Sequence, residues 1–373
     1  MKLSNCIEII SGGTPTTTKD EFWNGNIPWI SIKDFNNSSR YIYKTEKSIS
    51  RQGLENSNTN MLKKYDIIIS ARGTVGCLAQ IYYPMAFNQS CYGIRTSNKN
   101  LAQNYLYYWL IANIKKFKKQ THGAVFDTIT KKTFDNIEII YPSLSEQQHI
   151  VDIIGSIDDK IENNQKLIDK LYEYLNLQMK KLAYNKEKIQ IYTNDEISIA
   201  NSGIDKFAGE KIYLDTSSVI GNSIIDNSYK VSYSNRPSRA NMTPQDNTVW
   251  IAKLKNSPKH IIVKSYCDDL KNKYIFSTGF LGIKISKESF NLLAIYFISE
   301  TFEKEKDNLS VGATMQSINN NTFKNMYIPK FENSDYIHFN KITENIFKLI
   351  YKLDIEKIKL YKLKKTYLAK FFS

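Results

Sequence analysis

The chain repeats itself. His122-Gly123-Ala124-Val125-Phe126-Asp127-Thr128-Ile129 is followed by Thr133-Phe134-Asp135-Asn136-Ile137 and Tyr141-Pro142. Val311-Gly312-Ala313-Thr314-Met315-Gln316-Ser317-Ile318 is followed by Thr322-Phe323-Lys324-Asn325-Met326 and Ile328-Pro329. Gly123 and Gly312, Ala124 and Ala313, and Phe134 and Phe323 each lie 189 positions apart. A long apolar-periodic segment follows each proline. The repeat predicts an α+β chain of two similar mixed α/β domains related by a pseudo-two-fold axis.

Weaker landmarks agree. Asn201-Ser202-Gly203 parallels Ser11-Gly12-Gly13, Asn241-Met242 parallels Asn60-Met61, and Trp250-Ile251-Ala252 parallels Ile69-Ser70-Ala71. The offset drifts from 190 to 181 and back to 189, as a retained scaffold with altered loops would give. Within the first half, residues 26–32 and 65–70 read as strands bounded by turn residues. Leu101 to Phe117 reads as a helix, and Asn136 to Tyr141 as a last strand stopped by Pro142.

Ser143 with Glu146, or Ser145 with Gln148, fits a capping box that starts a helix. Its apolar positions are Ile150, Ile154, Ile157, Ile161, Ile168, Leu171, Leu175 and Leu182, with Asn164 and Gln178 as polar interruptions. Steps of four and three give the 3.5-residue period of a coiled-coil seam. About 38 residues at 1.5 Å each make a rod of roughly 57 Å. The last segment repeats the pattern through Phe339, Ile342, Ile346, Leu349, Leu353, Glu356, Leu360, Leu363 and Tyr367. Two equal rods are expected to pair antiparallel, although one amphipathic helix lying on its own domain is the alternative. The expected organisation is therefore a globular domain over 1–142, a long helix over 143–184, a second domain over 185–333 and a second helix over 334–373.

The net charge of +14 favours a polyanionic partner. Charge alone does not decide, because 45 of the 51 cations are lysines and an AT-rich coding composition enriches lysine. Cys6, Cys77, Cys91 and Cys267 are scattered and fit reduced thiols. Asn5 and Glu8 interrupt any apolar leader, and no apolar run reaches membrane length. A cytoplasmic protein without membrane contact is expected.

No engine is visible. There is no phosphate loop, no glycine-rich dinucleotide turn and no zinc motif. His149 and His338 occupy equivalent repeat positions and read as ordinary helix-start residues. Asp158-Asp159 and Asp268-Asp269 read as solvated faces rather than a nuclease site. No catalytic residue, metal site or cofactor is expected.

Ser11-Gly12-Gly13-Thr14-Pro15 and the run from Trp23 to Asp34 resemble the opening of the DNA specificity subunit of type I restriction-modification systems. Ile69-Ser70-Ala71-Arg72-Gly73-Thr74-Val75-Gly76, Phe87-Asn88-Gln89-Ser90 and the run from Tyr141 to Gln148 carry the same resemblance. It departs in the second half, where Asn201-Ser202-Gly203-Ile204 replaces Gly-Gly-Thr-Pro and no Arg-Gly-Thr follows Ala252. The resemblance implies two target-recognition domains on double-stranded DNA and antiparallel helices that set the spacer of a bipartite site. It also implies two docked methyltransferase subunits and a motor-nuclease restriction subunit.

Base reading needs donors and acceptors held in a groove, and phosphate contact needs cations. Candidates in the first half are Thr14, Thr16, Lys33, Arg72, Thr74, Asn88 and Gln89. Arg72 leads them as a rare arginine beside a glycine just past a strand; a surface ion pair is its bland alternative. Candidates in the second half are Arg236, Arg239, Lys253 and Lys255, set against a solvated loop. Gly123-Ala124 and Gly312-Ala313 lie near DNA or are tight turns of the fold. A coiled-coil scaffold without DNA specificity, or a self-sufficient nuclease, are the competing functions.

Overall fold

Runs rich in β-branched and aromatic residues, cut short by turn residues, make the strands of both halves. The computed structural model describes residues 1–35, 39–121, 128–225 and 229–372. It divides into two units, Met1–Glu162 with Lys362–Ser373 and Asn163–Tyr361. The repeated segment His122–Asp127, with Gly123 and Ala124, lies outside the described residues.

In the first unit Ile67–Ser70 is buried throughout because it is flanked by strands on both sides. Its sheet runs Ile7–Ser11, Cys91–Thr96, Ile67–Ser70, Leu78–Ile81, Tyr41–Ile42, and only the last pairing is parallel. A second sheet runs Lys47–Ile49, Trp23–Ile30, Met85–Phe87, Met61–Leu62, with Trp23–Ile30 parallel to Met85–Phe87. The helix Gln103–Thr121 shares the core of the first sheet through Leu106, Tyr108 and Leu110, packed with Ile67, Ile69 and Ile94.

The second unit uses the same plan. Its first sheet runs Ile197–Ile199, Phe280–Ile285, Thr248–Ala252, His260–Val263, all antiparallel. Its other main sheet runs Tyr229–Val231, Lys211–Leu214, Tyr274–Ser277, Ala240–Met242, with Lys211–Leu214 parallel to Tyr274–Ser277. The four shared strands of each sheet keep the same order, and the parallel pairing inside the second sheet is kept; the first unit alone adds a fifth strand, Tyr41–Ile42, parallel to Leu78–Ile81. The helix Phe290–Phe297 is buried at all eight positions and fills the core beside Leu281 and Ile283.

The expected strand over Asn136–Tyr141 is only an extended segment. Leu3 N–H donates to the Ile137 carbonyl and Ile139 N–H to the Met1 carbonyl, both at 2.8 Å, around one bridge from Lys2 to Glu138. The chain turns into a short helical turn at Leu3–Asn5, which ends the ladder on that side. In the second unit the equivalent segment, Tyr327–Pro329, finds Lys188–Gln190 and forms a true two-stranded pair.

The first long helix runs Leu144–Ala183, and Ser143 caps it. Ser143 N–H and hydroxyl both reach the Glu146 carboxylate, at 3.0 and 2.7 Å. Those bonds hold the Glu146 carboxyl below its ordinary range. Ile150, Ile154, Ile157 and Ile161 are buried in the first unit; Ile168 and Leu175 are buried in the second, with Leu171 and Leu182 half-buried. The second long helix runs Asn333–Phe372. Within the first unit Leu368 joins the cluster that holds Ile150 and Ile154. Within the second unit Phe347, Ile350 and Leu353 join the cluster that holds Ile168 and Leu175. There Asn164 Nδ2 donates to Glu356 Oε2 at 2.8 Å, so two polar seam positions meet.

The stripe of this second helix differs from the expected one. Leu349 and Leu363 are 40% and 43% exposed, and Ile342, Ile346 and Leu360 are half-buried. Phe339, Thr343, Phe347, Ile350, Leu353, Lys357 and Leu368 are the buried positions. The buried stripe runs one residue later at Thr343, Phe347 and Ile350 and returns to the expected position at Leu353. Two lysines also turn inward: Lys357 lies buried beside Asp354 and donates to Ser223, and Lys364 pairs with Asp158.

Asp158 corrects a second expectation. It is buried, accepts from the Tyr108 hydroxyl at 2.9 Å and meets Lys364 Nζ at 2.6 Å. It is a structural anchor inside the first unit, not a solvated carboxylate. Removing one partner of such a pair strands the other charge in low dielectric. Lys364→Ala should therefore lower the stability of the chain by about 3 kcal/mol in urea unfolding. The double change Lys364→Met with Asp158→Leu should recover most of that loss. An unchanged midpoint for the single variant would refute the role.

Candidate nucleic-acid interface

In the first unit three loops meet at one end of the two sheets. The loop after Ile7–Ser11 begins with two glycines for lack of room: a Cβ on Gly12 would stand 2.1 Å from the Asn88 carbonyl oxygen, and one on Gly13 2.4 Å from Asn58 backbone. Gly13 N–H donates to the Phe87 carbonyl at 3.0 Å, and the Thr14 hydroxyl bonds Gln89 Oε1. The hairpin loop between Ile67–Ser70 and Leu78–Ile81 is closed by Ser70, whose hydroxyl donates to the Thr74 carbonyl and accepts from Cys77 N–H. Ala71 and Arg72 N–H groups then donate to the Ser90 carbonyl at 2.8 and 3.2 Å. The three loops are thus stitched to one another by backbone bonds, and Thr14, Arg72, Thr74 and Gln89 stand on one surface.

Arg72 and Thr74 are exposed, and Arg72 pairs with no carboxylate among the described residues. Lys33 lies at the same sheet end but meets Glu46 at 3.5 Å, with both side chains largely exposed. Asn88 is half-buried, and its Oδ1 accepts Ser90 N–H at 3.1 Å, so its carboxamide shapes the turn. Thr16 is exposed, while its carbonyl accepts the Trp23 indole N–H.

The second unit builds the same arrangement with other residues. Ala252 N–H donates to the Lys259 carbonyl and closes the hairpin loop after Thr248–Ala252. Lys253 N–H donates to the Gly279 carbonyl at 3.0 Å, the counterpart of Arg72 on Ser90. Thr278 N–H donates to the Arg239 carbonyl at 2.8 Å and ties in a further loop. Lys253 borders two adjoining clefts of this unit: one lies toward Asn201, Ser202 and Lys324, the other toward Ser238, Arg239 and Thr278. Burial holds the Lys253 ammonium below its ordinary range, and no described carboxylate pairs with it. An anion entering the cleft would favour its charged form. Lys255 and Arg239 are exposed beside it.

Arg236 serves its own loop. Its guanidinium donates to the Tyr233 and Ala240 carbonyls and lies 4.1 Å from the centre of the Tyr233 ring. It is therefore a positioning residue, contrary to its expected place among the readers. The arginines sort accordingly. Arg40 bonds Gln80 and Asn104, Arg51 pairs with Glu55, and Arg95 pairs with Asp66 and Glu8. Only Arg72 and Arg239 keep uncommitted guanidinium groups among the described residues.

Ser90, Ser238 and Thr278 escaped the sequence reading. The repeat was the available signal, since Thr278-Gly279 occupies the turn that Asn88-Gln89-Ser90 fills in the first half. No group of three or more His, Cys, Asp or Glu side chains able to hold a metal occurs among the described residues. No described helix is long and apolar enough to cross a membrane.

Comparison with known proteins adds to this geometry. The specificity subunit of the type I restriction enzyme MjaIX of Methanocaldococcus jannaschii is 31% identical over 168 residues, 44% of this chain and 39% of that protein. The EcoR124I/EcoR124II specificity subunit of Escherichia coli is 32% identical over 178 residues, 44% of this chain and 43% of that protein. The matched stretches thus span about two-fifths of these relatives. The crystal structure of a type I restriction-modification S subunit from M. genitalium covers 100% of this chain and 95% of its own, with a TM-score of 0.55 at 14% identity, a likeness of fold. The family model described as the type I restriction modification DNA specificity domain matches residues 1–173. Over those residues the chain is similar to the DNA specificity domain of type I restriction-modification systems.

Proposed function

We propose that this chain is the sequence-specific DNA-binding subunit of a type I restriction-modification complex. Each globular half reads one half of a bipartite site. The two long helices pair antiparallel as a coiled coil, set the spacer and dock two methyltransferase subunits. A motor-nuclease subunit joins to complete the restriction complex. The chain has no catalysis and no cofactor of its own.

One observation carries the reading. Two copies of one two-sheet scaffold each hold an uncommitted cation at the same strand end, Arg72 after Ile67–Ser70 and Lys253 after Thr248–Ala252. The match of residues 1–173 to the type I DNA specificity domain supports it. A self-sufficient nuclease finds little support, because Asp268 and Asp269 are tied to Lys271 and Lys273 and Asp158 to Lys364.

The test is a mobility shift with the full chain on random-sequence duplexes, with and without methyltransferase subunits. Affinity for the selected sequence should fall about a thousandfold between about 50 and 200 mM salt. Methyl transfer should need the partner subunits. Arg72→Ala should relax discrimination at one base pair by about 1–3 kcal/mol. Binding indifferent to sequence in the full complex would sink the proposal.

Lys253 gives a second test, of opposite character. Phosphate favours the ammonium, so bound DNA raises a value that burial has lowered in the free chain. The contribution is full below the free-chain value and is lost as pH rises through the bound one. Affinity should weaken as pH climbs through the alkaline range, and Lys253→Met should bind more weakly without that dependence. An identical pH profile for both chains would exclude the contact.

A further inference from the structure

We propose, resting on the DNA-binding reading above, that Met315 is a wedge that enters the base stack of the half-site read by the second unit. Met315 is 73% exposed, and among the exposed large apolar side chains of the described residues only Ile140 and Tyr184 are more so. It stands at the tip of the loop between Val311 and Ser317. Val311 and Ser317 exchange backbone hydrogen bonds in both directions, at 3.1 and 3.0 Å, and so pinch the loop shut. Gly312 permits the pinch. Its φ is +133, and a Cβ there would stand 2.6 Å from the Met315 carbonyl oxygen.

The loop is seated on the strand end that carries the cations. Lys255 N–H donates to the Gln316 carbonyl at 2.9 Å and Ile318 N–H to the Lys253 carbonyl at 3.0 Å. That strand end is braced from beneath. Fully buried Lys306 donates to the Ala252 and Leu254 carbonyls at 3.3 and 3.2 Å and pairs with Glu303 at 2.7 Å. Glu303 in turn meets His260 at 2.9 Å, and Asn256 N–H is held by Asp307. A side chain that unstacks bases must be backed by something stiff, because parting a base step costs a few kcal/mol.

Charge selects the occupant. Met315 lines one cleft with Arg239 and Lys253. The carboxylate in that cleft, Asp215, is turned into its own backbone and bonds Ser217 and Ser218. A neutral apolar tip flanked by uncommitted cations suits a duplex, whose phosphates take the cations while a base step admits the thioether. The repeat places an equally bulky apolar residue, Phe126, at the matching position of the first half's sequence.

The experiment uses the full chain and a random-sequence duplex pool. Enriched duplexes are remade with 2-aminopurine at successive positions. The native chain should raise fluorescence at one step. Met315→Ser should abolish that rise and weaken binding about tenfold, while Met315→Leu keeps both; equal melting temperatures would show the fold intact. A rise that survives in Met315→Ser, or tight native binding without any rise, overturns the wedge and leaves the DNA-binding reading standing. Unchanged DNA affinity with loss of a co-purifying protein assigns the tip to a protein contact and also overturns it. Failure of any sequence to enrich removes the DNA-binding reading itself, and this inference with it.

Discussion

A helix of 40 residues cannot leave its apolar stripe in water, and most of this fold answers that constraint. Each fully buried leucine or isoleucine stabilises by about 1.5–3 kcal/mol only if something covers it. In the first unit Ile150 and Ile154 are covered by the core that also takes Leu368; in the second, Ile168 and Leu175 are covered with Phe347, Ile350 and Leu353. Apolar burial has no register, since a stripe slides with little penalty. The charged contacts supply it. Asn164 on Glu356 in one unit and Asp158 on Lys364 in the other each fit one alignment, and any slip strands a buried charge.

The same division of labour governs the recognition ends. Apart from the extra edge strand Tyr41–Ile42 of the first unit, strand order is the same in both units, whereas the loops they present are not. Arg72 offers a planar fork suited to a guanine edge, and Lys253 a point charge suited to phosphate. The first loop needs Gly12 and Gly13 because backbone from Asn88 and Asn58 crowds it. In the second unit Gly203 has open space around it, and Asn201 and Ser202 line the cleft there. The scaffold holds equivalent strand ends in place while the loops set on them differ in residue and in room.

Much of this was legible in the residues. The repeat carried the doubled topology, the Ser143–Glu146 cap marked the start of the first long helix, and the glycine and threonine motifs marked the three loops. Charge misled the reading in two places: Asp158 was taken as a solvated face and Arg236 as ligand-facing, and both bond within the fold, as Lys357 and Lys364 do. Charge in a sequence announces itself but not its partner, and the partners lie far away in the chain: Lys364 is 206 positions from Asp158. Local pattern sees neighbours three and four apart; it cannot see a pairing that exists only once the chain has closed on itself.

The committed charges also explain why so basic a chain need not bind anions everywhere. Net charge sets a long-range field, but screening at physiological salt confines its effect to about 8 Å. Within that range what matters is which cations lack a neighbouring carboxylate. Four of the six arginines are internally satisfied, as are Lys264 on Glu344, Lys306 on Glu303 and Lys186 on Asp335. Of the arginines Arg72 and Arg239 remain, and with Lys253 they stand at strand ends stitched by backbone bonds. Tying four of six arginines into the fold leaves the uncommitted guanidinium groups concentrated at the loop-bearing strand ends.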